Sequence, residues 1–179
     1  MNFRELDIAG AYLIDPRRRA DERGFFARVF CERQFAERGL CTRFVQCSVS
    51  FNRRRGTLRG LHYQAAPHEE TKLVRCTRGA IWDVIADLRP GSPTRGKWAA
   101  AELSADNGQM LYVPAGLAHG FQTLRDDAEV LYMISAFYDP AAARGVRWDD
   151  PTLAIDWPGA DERVISARDL ALPLWEGGP

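Results

Sequence analysis

The sequence predicts an all-β fold, a sandwich or a barrel. Three observations carry that expectation. Several stretches alternate apolar and polar residues with the period of two that a half-buried strand requires. The turns between them carry Gly or Pro, as in RPGSPTRG, ADNG and VPAG. Helical patterns are few and short. Closely spaced short strands with little helix between them are the pattern of sandwiches and barrels.

RFVQCSVSF opens the clear strand series, with Val45, Cys47, Val49 and Phe51 on one face and Gln46, Ser48 and Ser50 on the other. A polar strand face of this kind suits a barrel lumen that takes a polar ligand better than a dry core. GTLRGLHYQ follows, then TKLVRC and AIWDVIADL. In the last, Trp82, Val84, Ala86 and Leu88 oppose Ile81, Asp83, Ile85 and Asp87. TRG between these two reads as a hairpin-like turn in which Gly79 supplies freedom in φ. GQMLYVP, AHGFQTL and AEVLYMISAFY continue the series. ERQFAERGL is a short helix ending at Gly39. SARDL is a turn of helix capped by Ser166. The tail from Trp148 to Trp175 is rich in Pro and Trp and weak in periodicity. It reads as ordered coil packed back on the barrel, because its aromatic content argues against disorder.

Length and composition set outer bounds. The 179 residues suit one domain, spanning 1–179, with a sizeable core. Lys+Arg and Asp+Glu are 24 each, so no bulk charge points to nucleic acid or to a membrane. Only Lys72 and Lys97 are lysine, which makes a lysine mildly informative here. Cys31, Cys41, Cys47 and Cys76 show neither CxxC nor metal-ligand spacing. The opening MNFRELDIAG holds no apolar signal run, and no stretch approaches the roughly 18 apolar residues of a membrane helix. A reduced, cytoplasmic location is the expectation.

The chain has three histidines, His62, His68 and His119. Taken alone, a strand histidine such as His62 is most often packed and bonded to backbone. GQMLYVPAGLAHGF resembles the second cupin motif: a strand, a turn with Pro114 and Gly116, then His119. The first cupin motif would need HxH, yet the corresponding region reads His62-Tyr63-Gln64. Metal cupins use three histidines and a carboxylate on converging strands. The expectation here is therefore no metal and no cofactor.

A more specific resemblance rests on motifs that occur in order and at matching spacing. They are DERGFF, VQCSVS, GTLRGLHYQ, PHEETKLVRCTRGAIWDVIADLRPGSPTRGKW, LYVPAGLAHGF, AEVLY with FYDP, WDDP, IDWP and ISARD. Over roughly residues 3 to 175 the chain resembles the dTDP-4-dehydrorhamnose 3,5-epimerase family. That resemblance implies a cupin jelly roll, a homodimer and no metal. It also implies inversion of carbons beside the ketone of a nucleoside-diphosphate 4-keto-6-deoxyhexose.

The chemistry explains the residue types. A ketone at C4 acidifies the hydrogens on C3 and C5. Inversion then needs a base on one face, stabilisation of the enolate, and an acid on the other face. By resemblance His62 is the base and Asp169 fixes its tautomer. Lys72 holds positive charge near the enolate oxygen, and Tyr132 is the acid. Arg59 and His119 hold the sugar and diphosphate, with Arg23 reaching the diphosphate or the base. Phe26 and Tyr138 wall the nucleotide. Gln46, Ser48 and Arg28 occupy the positions that read the nucleobase.

Two of those last three depart from the family pattern. The family commonly has Glu where this chain has Arg28, and often Asn where it has Ser48. A carboxylate accepts from the N3–H of thymine, whereas arginine has only donors. One expectation is a nucleotide other than dTDP, with a CDP- or GDP-linked sugar as the candidate; the alternative is that Arg28 points to a phosphate or to solvent. After Tyr132 the family often has Lys, and here Met133 and Ile134 make the surroundings apolar. Two further readings stand beside the epimerase. One is a sugar-nucleotide 3,4-ketoisomerase, which moves the carbonyl with the same base. The other is a non-catalytic nucleotide-sugar binding protein. A metal-dependent oxygenase is disfavoured by the missing HxH. One structural demand follows from parity. Arg59 and His62 would point to opposite faces of an ideal strand. Both reach one pocket only if Gly60 permits a bulge or strong twist.

Overall fold

The computed structural model describes residues 1–177. The strands are β1 (Asn2–Glu5), β2 (Tyr12–Asp15), β3 (Arg18–Asp21), β4 (Gly24–Ala27), β5 (Gln46–Asn52), β6 (Thr57–Gln64), β7 (Lys72–Arg78), β8 (Ala80–Asp87), β9 (Trp98–Ser104), β10 (Met110–Val113), β11 (Leu117–Thr123), β12 (Ala128–Ile134), β13 (Ala143–Gly145) and β14 (Val164–Ile165). Two short helices, α1 (Glu32–Ala36) and α2 (Ala167–Leu170), complete the set. The strands form two facing sheets, ordered β1-β2-β10-β7-β12-β5 and β13-β6-β11-β8-β9, with β14 pairing β6. The result is an all-β jelly roll, and β3 and β4 stand apart from it as a separate hairpin.

The apolar periodicity sorts side chains into three layers. Val74, Cys76, Ile81, Ile85, Leu103, Leu111, Phe121 and Val130 fill the space between the sheets. Val84, Ala86 and the partly buried Trp82 and Leu88 point the other way. They pack with Leu58, Leu61, Val146 and Trp157. So both faces of β8 are covered, as its alternation predicts. The covering material on the outer side is the tail, through Leu153, Trp157, Trp148 and Trp175. On the outer side of the other sheet, Phe35 of α1 packs with Phe3, Tyr12, Phe30, Phe44 and Tyr112.

The turn at Gly79 differs from expectation. Gly79 does adopt positive φ, at 74°. However, β7 and β8 do not pair: β7 lies between β10 and β12, and β8 between β11 and β9. The turn carries the chain from one sheet to the other instead of closing a hairpin. Alternation shows that both strands are half or fully buried, and it is silent on which sheet each joins. The helix expectations match the structure. Gly39, at φ 67°, follows α1, and Leu40 N–H reaches back to the carbonyl of Phe35 at 3.0 Å. The Ser166 hydroxyl accepts the Asp169 N–H at 3.1 Å and starts α2.

The β5 strand is where burial and pattern part. It is an edge strand, paired only with β12. Its apolar set is left uncovered, with Val49 57% and Phe51 44% exposed. Phe25 and Phe26 on the hairpin are also exposed, at 54% and 69%. Among the described residues no helix is long and apolar enough to cross a membrane.

Candidate active site

A cleft of about 330 Å³ opens between the two sheets. From one sheet β6 supplies Arg59 and His62, and β11 supplies His119. From the other come Gln46, Ser48 and Ser50 of β5, Lys72 of β7 and Tyr132 of β12. Tyr138, from the loop after β12, closes one side.

Gly60 is the reason that Arg59 and His62 share this cleft. His119 pairs with His62 and Phe121 with Arg59, so three steps along β6 match two along β11. That is a bulge of one residue, and it reverses the parity between Arg59 and His62. Gly60 adopts φ 119°, a region that L side chains rarely enter. A Cβ there would lie 2.6 Å from Gly120 Cα. Only a glycine pair lets the two backbones approach this closely.

Each histidine faces an aspartate. His62 Nε2 lies 2.8 Å from Asp169 Oδ1, and the other oxygen of Asp169 accepts the Gly60 N–H at 3.3 Å. Asp169 is only 4% exposed and is aimed by the Ser166 cap, so α2 exists in the right place to present it. With a carboxylate against Nε2, the ring carries its proton there and leaves Nδ1 basic. His119 Nε2 lies 2.8 Å from Asp83 Oδ1, and Asp83 is wholly buried. His68 meets Asp139 at 3.4 Å in a surface loop, away from the cleft.

Burial pulls the pKa of His62 below that of an ordinary histidine. The charge and hydrogen bond of Asp169 oppose the shift, while Lys72 and His119 add to it. The ring is therefore neutral at pH 7. Tyr132 moves the other way. Desolvation and the nearby Asp83 push its hydroxyl far above the ordinary tyrosine range, with Arg59 opposing. Its ring stands edge-on to that of His119, 5.9 Å between centroids. The cleft thus holds a neutral imidazole on one sheet and a protonated phenol on the other.

Asn52, Gln64 and Glu70, which sequence reasoning did not single out, complete the site. Asn52, 2% exposed, accepts from Arg59 Nε at 2.8 Å and holds that guanidinium. Gln64 binds the Asp139 N–H at 2.6 Å, and Gln46 binds the Tyr138 N–H at 2.9 Å, so the Tyr138 loop is pinned twice. Glu70 pairs with Lys72 at 2.9 Å. A side pocket of about 250 Å³ adjoins the cleft through His62, Glu70 and Tyr138, and carries Arg144 and Arg168. The signals for Glu70 and Asn52 were present but weak: each lies two residues from a cleft residue in extended chain, or at a strand end facing one.

Arg23, Phe26 and Arg28 are not brought to this cleft. Arg23 pairs with Asp21 at 2.6 Å in the exposed hairpin. Phe26 and Arg28 line a separate hollow with Arg17, Arg19 and Gln34. The physical reason is topological, since β3 and β4 pair only with each other. Among the described residues no group of three His, Cys, Asp or Glu side chains is placed to hold a metal ion.

Comparison with known proteins bears on the same residues. The sequence matches the model of the family described as dTDP-4-dehydrorhamnose 3,5-epimerase over residues 5–177. A protein of Sinorhizobium fredii (strain NBRC 101917 / NGR234) with that name is 47% identical over 173 residues, covering 97% of this chain and 89% of the relative. The crystal structure of the same-named protein from Elizabethkingia anophelis NUHP1 is similar with a TM-score of 0.95 at 38% identity, covering 98% of this chain and 97% of that one. The Legionella pneumophila Philadelphia 1 structure, an RmlC in complex with dTDP-4-keto-L-rhamnose, gives 0.91 at 38% identity, covering 97% and 92%.

Proposed function

This chain belongs to the dTDP-4-dehydrorhamnose 3,5-epimerase family, and on that premise we propose how its cleft performs the inversion. The enzyme is an isomerase, an epimerase of deoxysugar nucleotide metabolism. His62 Nδ1 removes the proton from the carbon beside the C4 ketone. The electron pair moves to the ketone oxygen, where Lys72 and its charge stabilise the enolate. The enolate collapses, and the same carbon takes a proton from the Tyr132 hydroxyl on its other face. Imidazolium and tyrosinate then return to their starting states by exchange with solvent.

The observation that carries this reading is the placement of His62 on β6 and Tyr132 on β12, strands of opposite sheets that line one cleft. A sugar ring between them offers one face to each. Asp169 is the orienting group of the base. Arg59 and His119 bind the sugar and diphosphate, and Gln46, Ser48 and Tyr138 the nucleoside. No metal or cofactor is called for by this scheme.

The expected contacts from Arg23, Phe26 and Arg28 require a second copy. The exposed Phe25, Phe26, Val49 and Phe51 support a homodimer, since each leaves roughly half of its apolar surface to be covered, worth about 1 kcal/mol apiece. In that assembly the hairpin of one copy reaches the cleft of the other. For the nucleotide, the dTDP sugar bound by the Legionella relative supports a dTDP-linked substrate. The argument for CDP or GDP needs Arg28 to face the base. Calorimetry with dTDP, CDP and GDP decides: tighter CDP or GDP binding overturns the dTDP assignment.

The activity itself is tested in deuterated water with dTDP-4-keto-6-deoxyglucose. Deuterium at C3 or C5 with inversion supports epimerisation and names the carbon. A shifted carbonyl indicates the 3,4-ketoisomerase, and binding without exchange a non-catalytic module.

A further inference from the structure

Lys72 is held more tightly than a charge-bearing lysine needs to be. Its ammonium has three N–H donors. One meets Glu70 Oε1 at 2.9 Å and another the carbonyl of His62 at 3.4 Å. The two side chains are only 9% and 11% exposed. Their backbone is fixed as well. The Thr71 N–H bonds Ser135 Oγ at 2.8 Å, and the Ser135 N–H bonds the Thr71 carbonyl at 3.0 Å. Glu70 and Lys72 stand two residues apart in extended chain and so share one face. Both line the cleft, and Glu70 also borders the side pocket beside His62.

We propose that Glu70 is a positioning residue for epimerisation: it fixes Lys72 Nζ so that the remaining N–H serves the enolate oxygen, and it offsets the positive charge beside the base. The inference rests on the function proposed above. A lysine on a flexible four-carbon stem would otherwise sample many rotamers, and misplacing a catalytic group by about 1 Å can cost 10²-fold in rate. The charged and titratable groups facing His62 are Lys72 from β7, Glu70 from the loop before it, His119 from β11, Arg59 and Tyr63 from β6, Tyr132 from β12, Tyr138 from the loop after it, Arg144 from β13, and Asp169 and Arg168 from α2. Removing the Glu70 carboxylate makes this set more positive. Protonated His62 becomes harder to form, so the acid limb of kcat/KM moves to lower pH.

The test compares the wild-type protein with Glu70→Ala and Glu70→Gln, reading kcat, KM, pH profile and melting temperature in the deuterium assay. We expect Glu70→Ala to lower kcat about tenfold or more with little change in KM. Glu70→Gln restores most of kcat, because its amide oxygen still accepts from Lys72. The acid limb moves to lower pH in both. An unmoved acid limb in both variants overturns the inference. So does a kcat loss in Glu70→Ala that tracks a lower melting temperature and is not restored by Gln. Absence of exchange in the wild-type protein refutes the epimerase reading instead, and is distinguished by that control.

Discussion

Asp169 accepts the Nε2–H of His62 at 2.8 Å from a position 107 residues further along the chain. Its second oxygen holds the Gly60 N–H. One buried carboxylate therefore fixes both the His62 ring and the bulge that turns it into the cleft. Asparagine offers one acceptor for these two N–H groups, so one of them must face an NH₂. We expect Asp169→Asn to lower the deuterium exchange rate by about 10²–10⁴-fold. Wild-type exchange in this variant removes Asp169 from the mechanism.

The pH dependence follows from His62. Its folded pKa is lowered, chiefly by burial. Below that value the ring is protonated and cannot act as base, so kcat/KM falls on the acid side with a limb below 6.5, the ordinary value for histidine. The unfolded ring binds a proton more readily than the folded one. Stability is thus lost as pH falls from 6.5 through the lowered folded value. A pH titration of kcat/KM and of the melting temperature checks both. An acid limb above 6.5 contradicts the assignment of His62 as the base.

Tyr132 stays protonated well beyond neutral pH, because burial and Asp83 both raise its pKa. Activity carries no basic limb from this group up to about pH 10, the ordinary tyrosine value. Tyr132→Phe leaves the base intact and removes the acid. Epimerisation falls about 10²–10⁴-fold, while His62 still exchanges the substrate proton for deuterium with retention. Inversion at an undiminished rate in Tyr132→Phe assigns the acid elsewhere.

Gly60 has no room for a side chain. Its φ of 119° and the 2.6 Å approach of a Cβ to Gly120 Cα both oppose substitution, and the obstacle is backbone that cannot rotate away. Gly60→Ala should lose about 2–4 kcal/mol of stability in a denaturant titration. A loss below about 0.5 kcal/mol, the range of ordinary surface substitutions, shows that the bulge tolerates a Cβ.

The uncovered apolar face of β5 predicts association. Sedimentation of the wild-type protein gives a dimer, and Phe51→Glu shifts it to monomer with weaker nucleotide binding. A wild-type monomer that binds nucleotide and turns over substrate at full rate contradicts the need for a second copy.

Sequence alone determined the residue types, the strand periodicity and one precise demand. Because side chains alternate along a strand, Arg59 and His62 could share a pocket only through an irregularity at Gly60, and the bulge lies there. The helix caps at Ser166 and Gly39 were legible for the same local reason. Other features needed the tertiary structure. Periodicity tells which face of a strand is apolar, but not which sheet the strand joins. So the turn at Gly79 read as a hairpin, although it crosses between sheets. Nor does periodicity tell what covers the apolar side of β5, and none of the described residues covers Val49 and Phe51 there. Partners far apart in sequence, such as His119 with Asp83 or Arg59 with Asn52, depend on register and on chain reversal. Those are set by the whole packed core, and no local pattern of residues encodes them.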